Sequence, residues 1–180
     1  MSEAPKAYCV VIDSLRADDM PAVEVIVRHW VRKDGAVIEE EAAAALVTVR
    51  GGLDEASGRR YLVARDGDGK VLGVMGFGPL PERMAPYRTD PSRRAAGLLT
   101  AFLSPEARGR GVGKRLLTAL FEKARGEGFS EMIWSSNPRY RETAWSFYSA
   151  LAGDPVGLIE GLFFPTSVSP VWRKSLLPRP

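Results

Sequence analysis

Residues 104–115 read SPEARGRGVGKR, with glycines at 109, 111 and 113 threaded through arginine and lysine. Glycine has no Cβ to keep a ligand off the main chain, and neighbouring cations favour an anion. These residue types therefore point to phosphate binding by backbone amides. Three spacings of that chemistry can be told apart. A nucleoside-triphosphate loop needs glycine five positions before its Gly-Lys pair and Ser or Thr after the lysine. Here Gly113-Lys114 has Arg108 and Arg115 at those places, so it fails. A dinucleotide fingerprint starts well at Gly109 and Gly111 but meets Lys114 where its third glycine belongs. The third spacing, R-x-x-G-x-G, is met by Arg108, Gly111 and Gly113. It stands between an apolar run and a helix start, where free N–H groups and the helix dipole can hold a pyrophosphate. An exposed strand-to-helix turn without a ligand would use the same residues.

Other reactive types occur singly. His29 is the one histidine, and its helix is almost wholly apolar, so a packed or edge histidine is expected. Cys9 lies in AYCVVI and reads as a small buried residue. A lone cysteine excludes an internal disulfide and agrees with a reducing cytoplasm. Asp66 and Asp68 hint at a calcium loop, but its sixth position would be Val71 in place of glycine. The segment DGDGK is a turn.

The elements that must position these groups follow from periodicity. YCVVIDS reads as a strand. DDMPAVEVIVRHWV reads as a helix, capped by Asp18 or Asp19 with Pro21 in its first turn, and its Val23, Ile26, Val27 and Trp30 share a face. VIEEEAAAALVTV is a second helix, alanine-rich with its acids early. RRYLVAR and VLGVMGFG form a hairpin. In its second strand Gly73, Gly76 and Gly78 leave room for a ligand or another backbone. Pro79–Arg94 is irregular and proline-rich, of a length that often marks function. AAGLLTAFL reads as a strand buried on both faces. A helix from about Val112 to Arg125 follows, stopped by Gly126 and Gly128. SEMIWSS is a strand, RETAWSFYSALA a helix, and PVGLIEGLFF with PVWRKSL two closing strands. The order β-α-α-β-β-β-α-β-α-β-β points to one sheet, partly antiparallel, with helices against its faces, an α/β (α+β) class.

The 180 residues suit one domain, and 45% hydrophobic with 26% charged residues describe a soluble globular chain. The longest apolar run, Ala42–Val47, is too short to cross a bilayer, and the N-terminus lacks a secretory pattern. A cytoplasmic protein is expected. The net charge is +3, yet Arg83–Arg115 holds eight Arg or Lys against Asp90 and Glu106. That field suits a phosphorylated small molecule or a nucleic acid. No helix-turn-helix or zinc-finger spacing accompanies it, so no nucleic-acid partner is expected.

The segment LLTAFLSPEARGRGVGKRLLTALFEKA, followed by Asn137 at a strand end and the A-x-x-F-Y pattern of AWSFYSALAG, resembles the GNAT superfamily of N-acetyltransferases. The two parts cover about Ala95 to Gly153. The resemblance implies the acyl-CoA N-acyltransferase fold, a single mixed, mostly antiparallel central sheet flanked by helices, across residues 1–180, and acetyl-CoA as cosubstrate, with no metal. It implies that Arg108, Gly109, Arg110, Gly111, Val112, Gly113 and Lys114 bind the pyrophosphate. Phe102 and Leu103 would pair with the pantetheine arm, and Asn137 would bond to that arm or, alternatively, cap the turn before Pro138. Tyr148 matches the general acid that protonates the departing thiolate; a core aromatic beside Phe147 is the competing reading.

Two departures accompany the match. The central strand carries no carboxylate, which leaves Glu160 in VGLIEGLFF as a tentative base, with a solvated strand face or deprotonation by water as alternatives. LAGDPV stands where relatives often have Gly-Phe. The expected reaction is acetyl transfer to the amine of a small molecule or peptide in a ternary complex, in a monomer or homodimer. The alternative is a non-catalytic acyl-CoA sensor or partner-binding module.

Overall fold

The computed structural model describes residues 9–178. The strands are β1 (Val11–Ser14), β2 (Arg32–Lys33), β3 (Ala36–Val37), β4 (Arg60–Arg65), β5 (Val71–Pro79), β6 (Ala95–Leu103), β7 (Glu131–Ser135), β8 (Gly157–Glu160) and β9 (Val168–Ser175). The helices are α1 (Met20–Trp30), α2 (Glu39–Arg50), α3 (Val112–Gly126) and α4 (Ser146–Ala152). Seven strands form one sheet in the order β1-β4-β5-β6-β7-β9-β8. β6 and β7 pair in parallel, whereas β1 with β4, β4 with β5, β7 with β9 and β8 with β9 are antiparallel. The expected mixed, mostly antiparallel sheet with helices is therefore observed.

The described residues form two compact units, residues 9–78 with 99–120 and residues 79–98 with 121–178. In the first, α1 presents Val23, Ile26 and Val27, all at most 3% exposed, to a core that includes Tyr61, Val63 and Val74. Each such side chain contributes about 1.5–3 kcal/mol on leaving water. β4 and β5 pair from Arg60↔Phe77 to Arg65↔Val71, and Val71–Gly78 are buried throughout. In the second unit, Met84, Ile133, Ile159 and Val171 form a smaller core beside the fully buried Trp134 and Trp172.

Several expectations need correction. Cys9 is exposed, because β1 begins only at Val11 and leaves it outside the ladder. Asp19 does not cap α1; its carboxylate turns back to accept from the Arg16 amide and pairs with Arg65. β6 is only half-buried at Leu98, Leu99, Ala101, Phe102 and Leu103, and the strand buried on both faces is β5. The space at the β5 glycines is filled from inside the protein. A Cβ on Gly76 would come within 2.4 Å of the Tyr61 ring, and one on Gly78 within 2.8 Å of Leu99. At Gly73 it would meet the Leu103 side chain at 2.5 Å and the Phe102 carbonyl at 3.1 Å, so a backbone does approach there.

The irregular Pro79–Arg94 stretch contains a short helix, Glu82–Tyr87. Its arginines hold carbonyl oxygens: Arg83 those of Glu160 and Gly161, Arg88 that of Pro91, Arg94 that of Glu127. The β2–β3 hairpin was not expected. Its turn residues Asp34 and Gly35 both have positive φ, the conformation an Asp-Gly pair favours.

Candidate active site

The glycine segment grows out of the end of β6. Ser104 N donates to Leu72 O at 2.8 Å, which holds the strand end on β5. A single turn, Pro105–Ala107, follows, and the chain then reverses through Gly109 at φ +70° and Gly111 at φ +74°. Residues with a Cβ pay for that left-handed geometry, and at both glycines the space a Cβ would take is open. The first α-helical bond of the segment runs from Arg115 N to Gly111 O at 3.1 Å, so the amides of Val112, Gly113 and Lys114 precede it. Val112 and Gly113 are buried and anchor the helix start, as do Leu116, Leu117 and Leu120 one and two turns on. Arg108, Gly109, Arg110, Gly111 and Lys114 are exposed. Amides ahead of the first bond of a 15-residue helix, with exposed Arg108, Arg110 and Lys114 beside them in the chain, are groups of the kind that bind phosphate.

The strand edge leading to this segment is defined by hydrogen-bond direction. Because Ser104 N–H faces β5, the preceding carbonyl, Leu103 O, faces away from it. Phe102, one residue earlier, directs its own peptide groups to the β5 side. Of the two residues assigned to the pantetheine arm, Leu103 therefore offers main chain on the edge away from β5. The β6–β7 register runs from Ala95↔Glu131 to Gly97↔Ile133. One further group stands at this edge: Trp30, the last residue of α1, donates its indole N–H to Leu103 O at 2.6 Å. The Arg108 guanidinium lies over the same indole, 5.0 Å from its centroid. Sequence periodicity placed Trp30 on the core face of α1, and no local signal tied it to residues more than seventy positions away. His29, beside it, is exposed and meets the Trp30 ring edge-on.

In the second unit, Asn137 ends the segment after β7. Its Oδ1 accepts from Arg139 N at 3.0 Å and caps the turn Pro138–Tyr140, which leaves Nδ2 as its remaining polar atom. Tyr148 sits on α4 after a π turn, Arg141–Trp145, a kind of irregularity common at functional sites. Its ring packs at 5.6 Å from Trp134, 5.2 Å from Trp172 and 5.6 Å from Phe147. Burial, aided by the nearby Tyr140, pushes its phenol well above the ordinary tyrosine range. Trp172 also donates to Ser149 Oγ at 3.1 Å, and Lys174 to Leu151 O at 2.9 Å, so β9 fixes α4 beside Tyr148. Glu160 is exposed at the end of β8, and its carbonyl accepts from Arg83. Among the described residues no group of His, Cys, Asp and Glu could hold a metal ion, and no helix is long and apolar enough to cross a membrane.

A mixed sheet of this order, with a glycine turn between a strand end and the start of a helix, is the fold of known acetyltransferases. Residues 24–154 match the acetyltransferase (GNAT) family model, and the chain belongs to that family. It is 29% identical over 172 residues to phosphinothricin N-acetyltransferase of Alcaligenes faecalis, covering 90% of this chain and 78% of the relative. Its fold matches a GNAT acetyltransferase from Desulfovibrio desulfuricans with a TM-score of 0.74 at 18% identity, covering 94% of this chain and 100% of the other. It also matches a phosphinothricin acetyltransferase from Sinorhizobium meliloti in complex with acetyl-CoA, with a TM-score of 0.67 at 23% identity, over 92% and 88% of the two chains. The protein is an acetyl-CoA-dependent acetyltransferase.

Proposed function

We propose that the protein transfers the acetyl group of acetyl-CoA to the nitrogen of an amine, by direct attack with both substrates bound. The observation that carries this reading is the pair of left-handed glycines, Gly109 and Gly111, with open space where a Cβ would project. The name of the relative from Alcaligenes faecalis, an N-acetyltransferase, supports nitrogen as the acceptor atom. Acetyl-CoA supplies an activated thioester. The amides of Gly109, Arg110, Gly111, Val112, Gly113 and Lys114 receive the diphosphate, with Arg108 adding charge. Leu103 offers main chain to the pantetheine arm and Phe102 offers side-chain surface. Asn137 uses Nδ2, since Oδ1 is committed to its cap.

Tyr148 holds a proton at Oη for the departing thiolate. A free phenol exceeds an alkyl thiol by roughly 1.5 pKa units, about 2 kcal/mol uphill. Burial enlarges the phenol's side of that gap, but it also penalises a thiolate formed in the same surroundings. The proton therefore moves as the C–S bond breaks. The amine's own proton leaves to Glu160 or to water. Glu160→Gln separates these, because an unchanged pH profile assigns that proton to water. Holding both reactants in place supplies much of the rate.

The test is release of free thiol from acetyl-CoA with amino acids, polyamines, aminoglycosides and peptides, with the product identified by mass as an N-acetyl amine. Thiol release with no acetylated nitrogen in any product would refute the reading. Tyr148→Phe should lower kcat about 100-fold, the usual worth of a positioned acid. An unchanged kcat removes Tyr148 from the mechanism.

A further inference from the structure

The edge of β6 and the glycine segment meet different parts of the cosubstrate, and one side chain touches both. Trp30 Nε1 bonds to Leu103 O at 2.6 Å, while the Arg108 guanidinium lies 5.0 Å from the centre of the same ring. Trp30 comes from the last turn of α1, whose Val23, Ile26 and Val27 are locked in the core, so the indole has a rigid base. The next residue closes the helix, with Val31 N donating to Val27 O at 2.9 Å. Arg108 is the first residue of the R-x-x-G-x-G pattern and is exposed. A long exposed side chain samples many rotamers unless something orders it, and the ring face does so by cation–π attraction.

We propose that Trp30 is a positioning residue for coenzyme A, acting through Leu103 and Arg108. Its N–H fixes the strand-end peptide and its ring aims the Arg108 guanidinium at the mouth of the amide run. A ligand that spans both contacts then meets them already ordered, and preorganisation of this kind appears as affinity. The inference rests on residues 108–114 holding the diphosphate.

The experiment measures coenzyme A binding by calorimetry, and KM and kcat for acetyl-CoA, in Trp30→Phe, Trp30→Leu, Arg108→Ala, Gly111→Ala and the double variant Trp30→Leu/Arg108→Ala. Losing one hydrogen bond and one cation–π contact should raise Kd about tenfold in Trp30→Leu. Trp30→Phe keeps a ring for Arg108 and should lose about threefold, the share of the hydrogen bond alone. KM for acetyl-CoA should rise in parallel, while kcat at saturation moves little. A side chain that merely supports the fold would lower the melting temperature without this split. Because Trp30 acts partly through Arg108, the two substitutions should be less than additive.

Kd unchanged in a folded Trp30→Leu protein, or full additivity with Arg108→Ala, overturns the proposal. If Gly111→Ala weakens binding and Trp30→Leu does not, only the role of Trp30 falls. If neither does, the assignment of the diphosphate to residues 108–114 falls with it.

Discussion

Tyr148 packs against both Trp134 and Trp172, and burial keeps its phenol neutral to higher pH than a free tyrosine. A residue that must donate a proton is served by this, because it stays loaded over the whole working range. A kinetic consequence follows for the pH dependence of kcat/KM. The rate should rise with pH as the acceptor amine loses its proton and show no falling limb near pH 10, where an ordinary tyrosine would ionise. A falling limb centred below pH 10 that disappears in Tyr148→Phe would contradict the assigned environment. Asn137 is the opposite case, a side chain to which the proposed function gives a second use beside its cap. Its Oδ1 holds the Arg139 amide, so Asn137→Asp would keep the cap but abolish the Nδ2 donor. That variant should raise KM for acetyl-CoA with little change in melting temperature, whereas Asn137→Ala should lower both affinity and stability, the latter by about 1 kcal/mol.

At the scale of elements, the glycine segment is a turn whose backbone only glycine adopts freely, followed by a helix whose first residues are anchored. Gly111→Ala forces a side chain into φ +74°, at a cost of about 1–2 kcal/mol, and places a methyl on the open side of the turn. KM for acetyl-CoA should rise about tenfold, because the strained turn relaxes out of the geometry that presents its amides and must be driven back on binding. Gly76→Ala would act differently, since its methyl would strike the Tyr61 ring at 2.4 Å and disturb the core. A melting-temperature loss from Gly76→Ala, with KM unchanged in the folded fraction, would separate the two kinds of glycine. This contrast also shows what was legible beforehand. The glycine turn before α3, α3 itself and the strands β4 to β7 were legible, because spacing and periodicity are local properties. The role of the β5 glycines was not legible, since which side chain fills a gap depends on pairing between distant strands. Trp30 escaped for the same reason, its partners being Leu103 and Arg108. Cys9 was misread because an apolar neighbourhood in sequence does not place a residue inside the ladder. The Asp34-Gly35 turn was readable from its dipeptide alone, and the two-residue strands around it were too short for periodicity to show.

For the whole molecule, the pH dependence of stability should be set by a few buried groups and not by the net charge of +3. Burial alone would raise the Asp19 carboxyl, but hydrogen bonds and charge from Arg65, with the Arg16 amide, carry it below the ordinary range. A folded-state pKa below the unfolded value stabilises the protein above the unfolded value, near pH 4, and that stabilisation is lost as pH falls through the folded one. Glu39 and Asp90 are also lowered, Glu39 chiefly by its Arg28 hydrogen bond and Asp90 chiefly by Ser92. Both side chains reach solvent, so water and salt screen them and their share is small. At the alkaline end, burial raises Tyr148 and pushes Tyr61 up to about 12, against the opposing hydrogen bond from Thr100. Raised folded values stabilise below the unfolded pKa, near 10, and the gain is lost as pH climbs through the folded ones. Urea unfolding across pH should therefore give a plateau from about pH 5 to pH 9, with an acid limb belonging largely to Asp19. Asp19→Asn should lower the plateau by about 3 kcal/mol, because Arg65 is left nearly buried without its partner charge, and should flatten the acid limb. Addition of salt should leave that loss almost unchanged, since the pair is shielded from solvent. An acid limb of full slope in Asp19→Asn would move the acid sensitivity to other carboxylates and overturn this account.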